Sequence, residues 1–325
     1  MRVREVIIIG GGLAGLSAAI YLGRSRRDTL LIRSGHSMAK WESDVQNYLG
    51  FPEGVAGTEL LERGRRQVQR YGVDMLEDEA RALSKKNDVF QVETTGSVYE
   101  TKRVLLATGL THLPPDIPGV RECLGYSLFF CKDCDAFRVQ GKRIAVFGRN
   151  DEAVEYALAM LLFSPSVMVA TNGKAITWDK RHAEWLEEYR IAVRSERVTA
   201  VEHQDGRLSA LTFAKGDRVE VDAVFVTRGD IYHTRLAEQV GAALDSEGQV
   251  AVDDKMRTSV PGLYAAGCLT PANCQMIIAA GQGAIAAQAI NRDLFEESLD
   301  RHCLPVYGQP AGAVWQTATP GASSE

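Results

Sequence analysis

Short apolar runs punctuate the chain, and each leads into a turn of small residues. Val6-Ile7-Ile8-Ile9 runs into Gly10-Gly11-Gly12-Leu13-Ala14-Gly15, followed by apolar positions at Leu16, Ala19, Ile20 and Leu22. The run reads as a buried parallel strand, and the positions after it as the inner face of a helix. Thr29-Leu30-Leu31-Ile32 predicts the next strand. Val104-Leu105-Leu106 enters Ala107-Thr108-Gly109, and Arg143-Ile144-Ala145-Val146-Phe147 enters Gly148-Arg149-Asn150-Asp151. Val167-Met168-Val169-Ala170 enters Thr171-Asn172-Gly173-Lys174, and Gly262-Leu263-Tyr264-Ala265-Ala266-Gly267 precedes a small-residue helix over Ala279 to Ala289. Repeated strand–turn–helix units predict an α/β fold.

Length and composition narrow this picture. A chain of 325 residues is longer than one core usually serves, so two domains are expected. Apolar residues make up 45% and charged residues 24%, as in ordinary soluble proteins. The net charge of -5 offers no basic footprint for nucleic acid. The early run Val6 to Ile9 is too short for a signal peptide or a membrane span, which points to the cytoplasm. Six cysteines in a chain this long are not a disulfide scaffold, so a Cys-x-x-Cys indicates chemistry or metal.

The first turn fits G-x-G-x-x-G in the strand–turn–helix context that a dinucleotide site requires. Gly10 makes the tight turn, Gly12 lets the backbone approach a pyrophosphate, and Gly15 lets the helix pack on the strand. Leu13 and Ala14 open the helix toward the phosphates. An acidic residue often follows the second strand, but this chain has Arg33-Ser34. Ser34 is positioned to bind a ribose hydroxyl. Arg33 either stacks on adenine or touches phosphate, or is simply an exposed strand-end arginine. Thr108-Gly109 and Gly262 to Gly267 look like the segments that close the FAD site of flavoproteins with two dinucleotide domains. FAD is therefore the expected cofactor.

Cys131-Lys132-Asp133-Cys134-Asp135 holds the one Cys-x-x-Cys of the sequence. Such a pair forms a small-ring disulfide, lowers one thiol's pKa, or ligates metal. Zinc would normally need a second pair, so no metal is expected. Asp135 adds a carboxyl able to exchange the protons that disulfide chemistry moves.

With these motifs in order, the chain resembles the low-molecular-weight thioredoxin reductase family over about residues 5 to 300. The resemblance also includes Val45-Gln46-Asn47-Tyr48-Leu49-Gly50-Phe51-Pro52 and Ala279-Ala280-Gly281-Gln282-Gly283. It implies two Rossmann-like, three-layer ββα domains, the second inserted in the first. The expected division is 1–116 and 246–303 for FAD, 117–245 for an inserted NADPH-like domain carrying the dithiol, and 304–325 as a tail. It further implies a homodimer, with Asn47 near the flavin, Cys134 facing it, Cys131 attacking the substrate and Asp135 as acid–base group. Gly267, Cys268, Gln275 and Met276 fall where the family closes its FAD site.

The pattern then departs from the family. The second turn should read G-x-G-x-x-A, but Asn150 replaces the glycine that admits phosphate, and Asp151 and Glu152 put carboxylates at the helix start. No arginine cluster follows Val167 to Ala170; Lys174, Lys180 and Arg181 are the nearby cations, and scattered charges do not replace a bidentate grip. Gly229-Asp230-Ile231-Tyr232-His233-Thr234 lacks the family's proline-containing turn. NADPH is therefore not expected. Cys268 stands where the family has an Asp, and Cys274 where it has an Arg. Both are expected as packed thiols. His182, His203 and His233 are expected to be solvated.

Some family members that lack the NADPH motifs take electrons from ferredoxin, which makes ferredoxin a candidate donor. The acceptor is a protein disulfide, with thioredoxin-like proteins as candidates, or a small-molecule disulfide. A dithiol oxidase using oxygen and a flavin-bound redox sensor or electron carrier are the alternatives. The Pro-, Gly-, Ala-, Thr- and Ser-rich tail reads as disordered; its sharper reading stacks Tyr307 or Trp315 on the flavin, or on a second flavin in the vacated nicotinamide site.

Overall fold

The computed structural model describes residues 2–227 and 229–304. Its first sheet follows from the apolar runs. In spatial order the strands are Asp74–Glu77, Thr29–Arg33, Val3–Ile9, Val98–Leu106, Val89–Thr94 and Ala80–Lys86. The first four are parallel. The last two join antiparallel, and Val89–Thr94 alternates inward and outward residues as a strand with one covered face should. Strand Val98–Leu106 changes partners along its length. Residues 98–101 pair with Val89–Thr94, whereas 104–106 pair with Leu263–Ala265, which arrives from the far end of the chain. Apolar clusters cover both faces of this sheet, one built on Val6, Ile8 and Leu16, the other on Ile7, Ile9 and Phe90.

Between these strands the chain builds a second parallel sheet. Its order is Ala192–Arg194, Val167–Ala170, Ile144–Phe147, Ala223–Val226 and Leu128–Phe129. It has its own apolar clusters, and an antiparallel sheet of Val198–Gln204, Arg207–Phe213 and Arg218–Glu220 lies beyond it. The two crossings between the halves pair with each other: Leu110–His112 runs antiparallel to Asp230–Tyr232. This α/β architecture, with one largely parallel and one wholly parallel sheet, is the fold class expected from the sequence.

Helix Leu13–Arg24 leaves the first turn and lies against the long helix Met276–Asp300. Their approach depends on missing side chains. A Cβ on Gly283 would fall 2.1 Å from the Ala14 carbonyl oxygen; within the first turn itself, one on Gly15 would fall 1.9 Å from the Gly10 carbonyl oxygen, so the helix packs on its strand for the same reason. Among the described residues, no helix is long and apolar enough to cross a membrane.

Candidate active site

A cavity of about 890 Å³ opens where the first turn, the two crossings, the Cys131–Asp135 segment and the start of the long helix converge. Gly10, Gly12, Leu13, Ala14, Ser34, Asn47, Thr108, Gly109, Gly267, Cys268, Gln275 and Met276 line it, as do Cys131, Cys134 and Asp135. Two expected positions stand behind the wall instead. Gly15 serves packing. Arg33 packs its stem against Gly11 and donates to Glu77 at 3.0 Å. Its guanidinium is already paired, which leaves the strand-end side to Ser34.

The cavity suits a dinucleotide. Gly10 has φ +120°, and a Cβ there would strike the Ala107 carbonyl oxygen at 2.1 Å, so the turn needs glycine. Around Gly12 the space is open: a Cβ would meet only Ser37 Oγ, at 3.8 Å. No side chain caps helix Leu13–Arg24, so its first N–H groups are left to face an anion. Residues Gly10 to Ala14 therefore fit the pyrophosphate of a dinucleotide.

Cys131 and Cys134 form a disulfide at the start of the short helix Lys132–Asp135. Cys131 Sγ also accepts the Cys134 backbone N–H, at 3.1 Å. Gln275 reaches across from the start of the long helix. Its Nε2 donates to Cys131 Sγ at 3.3 Å and to Cys134 Sγ at 3.2 Å, while its Oε1 accepts from Asn47 Nδ2 at 2.7 Å. Asp135 is buried beneath the pair and accepts from Arg138 Nη1 at 3.0 Å. Burial raises the Asp135 pKa, with Arg138 pulling the other way.

Comparison with known proteins gives this arrangement a lineage. Residues 4–287 match the family described as pyridine nucleotide-disulphide oxidoreductase. The chain belongs to this family. It is 32% identical to a thioredoxin reductase of Treponema pallidum, over 88% of this chain and 95% of that one. The thioredoxin reductase of Streptococcus pyogenes superposes with a TM-score of 0.85 at 26% identity, covering 90% of this chain and 98% of that chain. A protein described as the atypical thioredoxin reductase TRi from Desulfovibrio vulgaris is 32% identical, with a TM-score of 0.52 over 90% of this chain and 99% of that chain. The protein is thus a thioredoxin reductase-like flavin disulfide oxidoreductase.

The second turn is hydrogen-bonded to a neighbouring segment. Asn150 is the N-cap of helix Asp151–Met160, and segment 174–179 lies across the turn. Thr177 N–H donates to the Arg149 carbonyl at 2.7 Å, Arg149 Nη1 donates to the Ala175 carbonyl at 3.3 Å, and Asp179 N–H donates to Asp151 Oδ1 at 2.8 Å. Two of the nearby cations are turned to other work. Arg181 stacks over Trp185 and Lys180 pairs with Glu184.

Several residues differ from expectation. Cys268 and Cys274 are not packed thiols: they form a second disulfide within the cavity wall. His182 is not solvated. It is buried, with Nδ1 2.6 Å from Asp179 Oδ1. His233, by contrast, is exposed as expected, although it also lines the cavity; its Nε2 is 2.9 Å from Thr111 Oγ1, and partial desolvation lowers its pKa. His203 is half-buried. Sequence reasoning also missed Glu42, which faces the same cavity; burial, reinforced by the charge of Asp135, pushes its pKa up to about 7. An isolated acid in a loop carries no periodic signal. The pairing of two cysteines six residues apart matches no motif.

Proposed function

We propose that this enzyme takes electrons from a donor other than NADPH, with ferredoxin as the candidate. It passes them by way of FAD and Cys131–Cys134 to a disulfide, of which thioredoxin-like proteins are the leading class. The observation that carries the donor reading is segment 174–179, hydrogen-bonded across the Arg149–Asp151 turn. In this reading the segment crowds the turn, and the Asp151 and Glu152 carboxylates in the first turn of the helix oppose a pyrophosphate. Plant-type ferredoxins lie near ~-400 mV and thioredoxin near ~-270 mV, a gap favouring two-electron transfer by roughly 6 kcal/mol.

When bound, FAD supplies the two electrons that open the disulfide. In this reading Gly10 to Ala14, Ser34, Thr108, Gly109, Gly267 and Met276 hold and orient it, and Arg33 steadies the strand end. Gln275 holds both sulfurs in place. In this reading Cys134 would exchange electrons with FAD when it is bound, and Cys131 would attack the acceptor disulfide. Asp135, protonated more readily than an ordinary carboxyl, exchanges the proton at sulfur. The division 1–116, 117–245 and 246–303 belongs to the same reading, supported by the return of Leu263–Ala265 to the first sheet. So do a homodimer and a cytoplasmic setting. The tail reading with Tyr307, Trp315 or a second flavin falls on residues outside those described.

The test is anaerobic mixing of the FAD-loaded enzyme with excess NADPH, and separately with reduced ferredoxin. Flavin absorbance should hold steady with NADPH over minutes and bleach with ferredoxin. Rapid, complete bleaching by NADPH would overturn the donor assignment.

A further inference from the structure

We propose that Cys268–Cys274 is a second redox-active disulfide, which exchanges two electrons with Cys131–Cys134 and presents Cys274 to thiols and disulfides in solution. The inference rests on the redox role proposed for the first pair and adds a second centre to it.

Three observations meet here. First, both disulfides line one cavity. Second, one residue connects them. Gln275 directly follows Cys274 in the chain, and its amide donates to both sulfurs of the first pair, at 3.3 and 3.2 Å. The backbone that carries the second pair is thereby anchored on the first. Third, the pairs differ in access. Cys131 and Cys134 are half-buried, whereas Cys274 is exposed at the end of the exposed stretch Pro271–Asn273. A sulfur reachable from both sides is suited to relaying; a purely structural bridge would gain nothing from such a position.

The chemistry balances without another reagent. With the first pair as a dithiol, one of its thiolates attacks a sulfur of the second disulfide. The Cys268–Cys274 bond breaks, an interpair mixed disulfide forms, and the displaced thiolate takes up a proton. The other cysteine of the first pair then loses its proton and attacks its neighbour. The mixed disulfide breaks, and the second displaced thiolate is protonated. Two electrons and two protons have moved outward: the first pair is oxidised and the second reduced. An acceptor disulfide can then be reduced at Cys274 without entering the cavity.

The experiment uses the full-length, FAD-loaded enzyme. Cys131→Ser and Cys134→Ser each leave one unpaired thiol in the first pair. After anaerobic incubation and acid quenching, non-reducing peptide mapping should find that thiol joined to Cys274 or Cys268 in most molecules of at least one variant. In parallel, reductive titration with dithionite should show one two-electron acceptor fewer in the Cys268→Ala/Cys274→Ala enzyme than in the wild type. Absence of a mixed disulfide from both single variants, with Cys268–Cys274 still oxidised after the wild-type first pair has been reduced, would overturn the relay. A first pair that itself resists reduction would instead sink the proposed function on which the relay rests. An alkylation count at Cys131 and Cys134 separates these two failures.

Discussion

At the scale of single residues, carboxyls govern how this site responds to pH. Glu42 is held in its protonated form up to about pH 7 by burial and by the nearby Asp135 charge. In the unfolded chain it ionises near its ordinary value of 4.5. Between these values the folded state binds more protons than the unfolded one, so this group makes stability fall as pH rises, and the loss is complete above about pH 7. Glu42→Gln removes the charge and keeps the shape. Denaturant melts should then show a flatter profile between pH 5 and 8, and a gain at pH 8 of about 1–3 kcal/mol. Asp135 shifts in the same direction, but Arg138 partly restrains it, so Asp135→Asn should mainly slow proton-coupled turnover of the dithiol. Stopped-flow measurement at several pH values checks this: the pH dependence of the slow phase should disappear, with the flavin spectrum retained.

At the scale of elements, glycines set the distances. The long helix reaches the cavity because Gly283 admits the Ala14 carbonyl. Gly283→Ala places a methyl inside a contact that neither backbone can yield easily. Overpacking of this kind costs typically 1–3 kcal/mol. It should lower the thermal midpoint and weaken FAD retention together, because Gln275 and Met276 begin this same helix; calorimetry and cofactor titration would show both. The second turn behaves differently. Asn150→Gly restores the family's letter but leaves segment 174–179 in place. Its expected outcome is no gain in NADPH-driven flavin reduction, whereas exchange of that whole segment for a short glycine-containing loop should be needed before any gain is seen.

At the scale of the whole molecule, the two main sheets keep separate apolar clusters, and the candidate FAD contacts lie largely with the first. Ligand binding stabilises the part that binds. Stripping the flavin should therefore lower one component of the melting curve, restore it as FAD is added back, and leave a second component in place. Much of this architecture was legible in the sequence, since buried parallel strands and their glycine turns write themselves as Val6 to Ile9 and Gly10 to Gly15. The Cys131–Asp135 segment was legible for the same reason: its spacing is local. What escaped depends on the chain meeting itself at long range. The backbone bonds of segment 174–179, the burial of His182 and the placement of Glu42 beside Asp135 leave no local pattern. Cys268 and Cys274 are close in sequence, but only the curl of the loop between Gly267 and Gln275 decides that their sulfurs meet.

That loop ends on a side chain with two unlike ends. An amide has a donor end and an acceptor end of similar shape, and a half-turn would swap them. In Gln275 the acceptor end takes a hydrogen bond from Asn47, and the N–H end is turned toward both sulfurs of the first pair. Opening the Cys131–Cys134 bond leaves negative charge on one of these two sulfurs. The positive ends of the dipole already wait there, and no reorientation is required when the charge appears. A glutamate at this position would invert that polarity and oppose opening, although it would occupy nearly the same volume.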